Sequence, residues 1–281
     1  MHFILGNGLI GLLAGRTLSR KVIPFGRSRF YSFETPLADD HIVFAEDVAS
    51  AVHSSPRILN NPKMSLGGKL FEPTPELRSA YLNKVGMLNL AVGDSIKAAM
   101  TLNATCTELY RALKKEIDLF DVKIIGIKPG VLILTDGSTI PYSSLISTIP
   151  LNELLRLLKM QMTLECCDVY CCHLGTMELN LEGAQQVFVL DEHIEFFKVN
   201  QVRKNEYVLF SFQELDELII GKYIKDFKIL EKTKIPDAMP LGVPPSLNDL
   251  EAMNIRCIGS CAQWDEAMDV SSCLRRILKI R

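Results

Sequence analysis

An α/β chain is predicted by three stretches of this 281-residue sequence. The first is His2-Phe3-Ile4-Leu5, which stops at Gly6-Asn7-Gly8-Leu9-Ile10-Gly11 and runs on into apolar residues up to Leu18. The second is Ser144-Leu145-Ile146-Ser147-Thr148-Ile149-Pro150, an apolar strand with a helix expected over 151–158. The third is Asn254-Ile255-Arg256-Cys257-Ile258-Gly259, again an apolar strand that breaks at glycine before a helix. Buried strands that each hand over to a helix are the pattern of a parallel sheet covered by helices.

The opening stretch also carries chemistry. In G-x-G-x-x-G the first glycine permits the tight turn, the second lets a pyrophosphate approach the backbone, and the third lets helix and sheet pack closely. The free N–H groups of the helix start then face the phosphates. A dinucleotide site is the reading that follows. After the next strand, near 21–25, an Asp or Glu would hold the adenosine ribose, and here Gly26-Arg27-Ser28 stand instead. Two readings stay open: Arg27 meets a 2′-phosphate, as in NADP sites, or the ribose is held in another way.

Composition sets the frame for the rest. A hydrophobic content of 48%, a charged content of 23% and a net charge of -2 describe an ordinary globular protein with no global field for nucleic acid or an acidic membrane. The length leaves room for two modest domains. No basic leader precedes the apolar N-terminal run, so the eight cysteines are expected to be thiols in a reducing, cytoplasmic setting. No stretch reaches the roughly 20 apolar residues of a membrane span.

Between the predicted strand and helix pairs lie two further regions. Residues 30–62 read as mixed loop with a helix near 45–53, and 76–87 as a helix carrying Tyr81, Lys84 and Gly86. A helix over 107–117 and strands at 122–127 and 131–134 follow, with Asp136-Gly137 as a tight turn. Glu165 to His173 packs four cysteines and a histidine into an extended strand, where neighbours point to opposite faces and do not converge on a metal. We therefore expect no metal. Strands at 187–190, 194–199 and 207–212 read as an antiparallel sheet, 214–227 as a helix, and Pro236, Pro240, Pro244 and Pro245 as a stiff return. Without a glycine loop of its own, this half suits a substrate-binding layer.

Three separated stretches together resemble one family, the flavoproteins that include amine oxidases, protoporphyrinogen oxidase and UDP-galactopyranose mutase. They are the Gly6 to Gly11 turn, the segment from Asp136-Gly137 through Pro150 to Leu155, and Ile258-Gly259-Ser260 through Trp264 to Met268-Asp269-Val270. Tyr81-Leu82-Asn83-Lys84-Val85-Gly86 is similar to that family's Tyr-x-x-Lys-x-x-Gly helix, and Phe196-Phe197-Lys198-Val199 to its strand bearing a basic residue. The resemblance implies a Rossmann-like FAD-binding domain over 1–60, 95–155 and 236–281. Into it is inserted an antiparallel-sheet plus helix substrate domain over 61–94 and 156–235.

It further implies bound FAD. Its pyrophosphate would lie at Gly6, Asn7, Gly8, Leu9, Ile10 and Gly11, its adenosine near Gly26, Arg27, Ser28 and the backbone of Ile124. The flavin end would lie near Thr148, Ile149, Pro150, Gly259, Ser260, Met268, Asp269 and Val270. Lys198, Lys84 and Tyr81 are the substrate-side candidates. The departures from the family pattern are Gly26 in place of the ribose acid and Ser260 in place of an arginine. The expected activity is FAD-dependent oxidation of a small-molecule or conjugated amine-type substrate. A flavin-dependent mutase or lyase is the second reading, and an NADP-dependent reductase or a non-catalytic dinucleotide-binding module the third.

Overall fold

The computed structural model describes residues 1–25, 56–58, 62–86, 100–102, 106–162, 164–177, 179–184, 186–241, 246–263 and 270–280. In chain order the elements begin with β1 (His2–Leu5), α1 (Leu9–Leu18), β2 (Lys21–Ile23), β3 (Pro56–Ile58), β4 (Lys63–Leu66), β5 (Lys69–Phe71), α2 (Pro75–Val85) and β6 (Met100–Leu102). Next come α3 (Cys106–Glu116), β7 (Ile124–Lys128), β8 (Val131–Leu134), β9 (Thr139–Pro141), β10 (Ser144–Ser147) and α4 (Leu151–Leu158). The chain continues through β11 (Glu165–Thr176), β12 (Gln186–Val189), β13 (Phe196–Arg203), β14 (Glu206–Ser211), α5 (Glu217–Ile220) and β15 (Phe227–Leu241). It ends with α6 (Asn248–Ala252), β16 (Ile255–Cys257), α7 (Ser260–Gln263) and α8 (Val270–Ile280).

These elements fall into two compact units, one of Met1–Glu34, Thr107–Glu165 and Val243–Arg281, the other of Thr35–Cys106 and Cys166–Gly242. The strand pair β3 and β6 lies in the second unit, whereas the sequence alone assigns 1–60 and 95–155 to the first domain.

A four-stranded sheet in the order β16-β10-β1-β2 forms the centre of the first unit, and every pairing in it is parallel. Parallel strands covered on both faces need near-continuous apolar runs. Phe3, Ile4, Leu5, Val22, Ile23, Leu145 and Ile146 supply them, all essentially without solvent exposure. Leu12 and Leu13 of α1 are equally buried, and α1 packs against α8. Strands β7, β8 and β9 form a separate antiparallel sheet in this unit.

The second unit is built on a seven-stranded mixed sheet, β15-β11-β14-β13-β12-β4-β5. Its side chains alternate between two cores as the strand period of two demands. Cys172, Leu174, Val187, Val189, Phe196, Val199 and Leu209 go to one, beneath Leu215, Ile220 and Ile224. Met64, Cys171, Phe197, Val208 and Phe210 go to the other, against Tyr81 and Val85 of α2. The adjacent thiols Cys171 and Cys172 thus face opposite ways, and among the described residues no cluster of His, Cys, Asp and Glu is disposed to hold a metal.

One expectation for this unit is corrected and one is made specific. The helix over 214–227 shrinks to α5, a single turn capped by Asp216, whose carboxylate accepts from the Ile219 N–H at 2.8 Å. The stiff return expected through the prolines is the strand β15 as far as Pro236 and Pro240, and Pro244 and Pro245 lie outside the described residues. The strand lies at the sheet edge, where a residue without an N–H is tolerated. The helix expected near 45–53 lies outside the described residues.

Beside α5, Tyr223 donates its hydroxyl to Glu195 Oε2 at 2.6 Å, and Lys222 Nζ donates to Glu195 Oε1 at 2.9 Å. The Tyr223 hydroxyl first, and Lys222 with it, hold the Glu195 carboxyl below the usual carboxylate range. The same bond pushes Tyr223 up to about 12. Stability from Glu195 is therefore full above its ordinary pKa and is lost as pH falls through the lowered one. That from Tyr223 is full below its ordinary value and is lost as pH rises through the raised one. The melting-temperature gap between the wild type and Glu195→Ala is expected to stay constant from roughly pH 5 to 9 and to close below about pH 4. A gap indifferent to acid would contradict the linkage.

Candidate functional site at the glycine turn

The turn after β1 is shaped by what its glycines exclude. Gly6 has φ +111, and a Cβ there would lie 2.5 Å from Thr148 Oγ1. A Cβ on Gly11 would lie 1.9 Å from the carbonyl oxygen of Gly6. Around Gly8 there is nothing within 4 Å of a Cβ position. Two glycines are closed inward by the fold, and the middle one opens outward.

Gly8 is also the N-cap of α1, with no side-chain cap and no acidic residue in the first turn. The first bond of the helix runs from the Leu12 N–H to the Gly8 carbonyl at 3.0 Å. The N–H groups of residues 9–11 accordingly have no acceptor within the helix. Together with the aligned peptide dipoles they make a positive, hydrogen-bonding surface beside the open face of Gly8.

The neighbouring strand ends are tied to the same edge. Thr148 donates its N–H to the Leu5 carbonyl at 2.8 Å and its hydroxyl to the same oxygen at 3.1 Å, and the Ile258 N–H donates to the Ser147 carbonyl at 2.9 Å. Asn7 Oδ1, Ser147 Oγ and Gln263 Oε1 are buried with no hydrogen-bond partner among the described residues. Asn7 follows β1, Ser147 ends β10, and Gln263 belongs to the helix after β16. Three orphaned polar groups thus lie at the carboxyl ends of three adjacent parallel strands, where ligands of open α/β sheets bind. The uncapped helix start at the open glycine supplies the N–H donors that a diphosphate requires, and the unpaired Asn7 and Gln263 amide oxygens are acceptors for the hydroxyl and N–H groups of a dinucleotide.

The remaining cofactor-side residues divide into those the fold places and those outside it. Ile149 is buried with its Cγ2 3.0 Å from a Cβ position on Gly6, and Pro150 is the N-cap of α4. Ile124 is buried in β7 opposite Leu134, which leaves it backbone rather than side chain to offer. Gly259, at φ +123, joins β16 to α7, which Ser260 begins, and Val270 begins α8. Gly26, Arg27, Ser28, Met268 and Asp269 lie outside the described residues. Gln263 was not singled out by the sequence, because a lone polar residue in a loop carries no signal until its burial is known.

Of the three substrate-side candidates, two are engaged by the fold itself. Tyr81 is 4% exposed, packs edge-on to Phe188 with centroids 5.1 Å apart, and has its hydroxyl pKa raised by burial. Lys84 spends its ammonium on three backbone carbonyls, Asp191 at 2.7 Å, Ile194 at 3.1 Å and Phe196 at 3.2 Å. Burial lowers its pKa, partly offset by the carboxylates of Asp191, Glu192 and Glu195. Gly86 then ends the helix in the left-handed conformation. The Tyr-Lys-Gly pattern is therefore a core residue, a clamp and a helix stop. Lys84→Met is expected to destabilise the protein by about 2 kcal/mol, the scale of a few charged hydrogen bonds that water partly replaces. A denaturant titration checks this, and an unchanged midpoint would contradict the clamp.

Lys198 is placed differently. Its ammonium stands 5.2 Å from the Phe210 ring centroid and 5.8 Å from that of Phe188, its cross-strand neighbours. Flanking rings of this kind hold a cation by their negative faces.

No protein-family model matches the sequence, and no curated protein matches it. Solved structures do match the fold. Reduced UDP-galactopyranose mutase aligns with 99% of this chain and 92% of its own, at 12% identity and TM-score 0.72. An oxidoreductase from Methanosarcina mazei aligns over 99% of both chains at 11% identity and TM-score 0.65. A flavin-dependent halogenase from Brevundimonas sp. BAL3 aligns with 99% of this chain and 70% of its own, at 13% identity and TM-score 0.52. This chain has the fold of these proteins. At such identities the likeness carries the architecture, and the chemistry has to be argued from the site.

Proposed function

We propose that this chain is an FAD-dependent enzyme, with the FAD diphosphate at the Gly6 to Gly11 turn, and that it oxidises an amine or a related carbon–nitrogen substrate. The observation that carries the reading is Gly8, the one glycine of the turn with open space above it, standing at an uncapped helix start. The residues that would hold the cofactor are the backbone N–H groups of residues 9–11, the Asn7 amide, the Ser147 hydroxyl and the Gln263 amide. Bound FAD would supply an acceptor for the hydride that the substrate carbon gives up. The protein's part is to orient the substrate and exclude water, and Lys198 is the substrate-side cation on this reading.

Anaerobic mixing with amines tests the reaction. The flavin absorption of the loaded protein is expected to bleach, and Lys198→Met to slow bleaching at least tenfold while leaving flavin content unchanged, the scale of one lost charged contact. The mutase likeness at TM-score 0.72 supports a second reading, a rearrangement without net redox change. Absence of bleaching by any amine, together with turnover that begins only after chemical pre-reduction, would replace the first reading with the second.

A further inference from the structure

The opposite end of the parallel sheet carries a separate basic site. A cavity of about 540 Å³ opens there, lined by Arg20, Ser144, Glu251, Asn254, Arg256 and Ile280 among others. Arg20 precedes β2 and Arg256 lies on β16, the two edge strands of the sheet, while Ser144 starts β10 beside β16; the Arg20 side chain reaches Ser144, so both arginines line the one cavity. We propose that this cavity binds a phosphorylated small molecule, its phosphate held between the guanidinium groups of Arg20 and Arg256 and by the Ser144 hydroxyl.

Two observations and one principle lead there. Among the described residues no carboxylate lies within salt-bridge distance of either guanidinium, although Glu251 lines the same cavity. Two like charges facing one space repel, and an anion between them removes the cost. Arg20 already feels it, since burial first and Arg256 second lower its pKa.

The polar lining fits phosphate better than a carboxylate. Arg20 Nη1 reaches Ser144 Oγ at 3.5 Å, and His2 Nδ1 lies 2.7 Å from the same hydroxyl. Two planar forks, a hydroxyl and the Asn254 amide offer more donors than the two oxygens of a carboxylate can accept, and guanidinium groups match phosphate oxygens in pairs. The volume exceeds that of a bare phosphate and lies within the usual range of small-molecule sites. The Ile280 side adds an apolar wall for an organic remainder. The site depends on neither FAD nor the proposed reaction.

Calorimetric titration of the protein saturated with FAD, and separately of protein without added FAD, tests the proposal with inorganic phosphate, glucose 6-phosphate and adenosine monophosphate. Saturable binding of at least one probe is expected in both forms. Arg256→Gln and Arg20→Gln should each weaken it about tenfold or more, and Arg256→Lys should restore part of the loss. Tighter binding of one organic probe than of inorganic phosphate would identify which remainder fits. If Arg20→Gln does not fold, Arg256→Gln, exposed on the edge strand, decides. No saturable binding of any probe up to about 10 mM, or affinities that the arginine variants leave within about twofold, would overturn the site.

Discussion

Replacing Gly11 with alanine is expected to cost the first unit about 3 kcal/mol or more and to lower its melting temperature by roughly 10 °C. The new methyl carbon would stand 1.9 Å from the Gly6 carbonyl oxygen and 2.9 Å from Thr148 Oγ1. The first is backbone and cannot swing away, so either β1 and α1 move apart or the turn rearranges. Any rearrangement also breaks the Thr148 bonds to the Leu5 carbonyl, which hold β10 in place. Calorimetry and far-ultraviolet circular dichroism read the loss. An unshifted melting temperature would mean that helix and turn do not pack as closely as described.

Gly8→Ala should behave in the opposite way. A methyl group at Gly8 meets nothing within 4 Å, and the backbone there, φ -67 and ψ 176, is open to any residue. The expected cost to the fold is below about 1 kcal/mol, the difference between Gly and Ala at an N-cap. For FAD the same methyl would occupy the space that the diphosphate approaches, and affinity is expected to fall at least tenfold. Stability kept and cofactor lost is a combination that a merely structural glycine turn does not produce. Equal FAD affinity in the wild type and Gly8→Ala would remove the diphosphate from this turn.

The parts of the fold that could be read from the sequence are those governed by local rules. Apolar runs that stop at glycine or proline mark β1, β10 and β16, because most of their side chains are buried between the sheet and its helices, with Arg256 on the edge strand an exposed exception. The helix over 151–158 is found to the residue, since its leucines repeat at helical spacing and Pro150 starts it. The stretch 214–227 misleads because its apolar residues fit a helix period, while Asp216 and Gly221 confine the helix to one turn. The prolines mark the stretch after it as stiff and extended, but only the sheet it joins makes it the strand β15.

The candidate site was legible in the same uneven way. The glycine turn announces itself because its chemistry lies within six consecutive residues. Lys84 and Tyr81 look chemical in sequence, yet a lysine's role depends on which carbonyls surround it, and those come from residues 191–196. Arg20 and Arg256 carry no signal apart, since they lie far apart in the sequence and only the folded unit sets both along one cavity.

The visible spectrum of the purified protein, followed by release and identification of its chromophore, tests the central claim most directly. The account predicts the two visible bands of oxidised flavin, and FAD released on denaturation, either as isolated or after incubation with excess FAD. A folded, colourless protein that takes up no FAD from excess would contradict it.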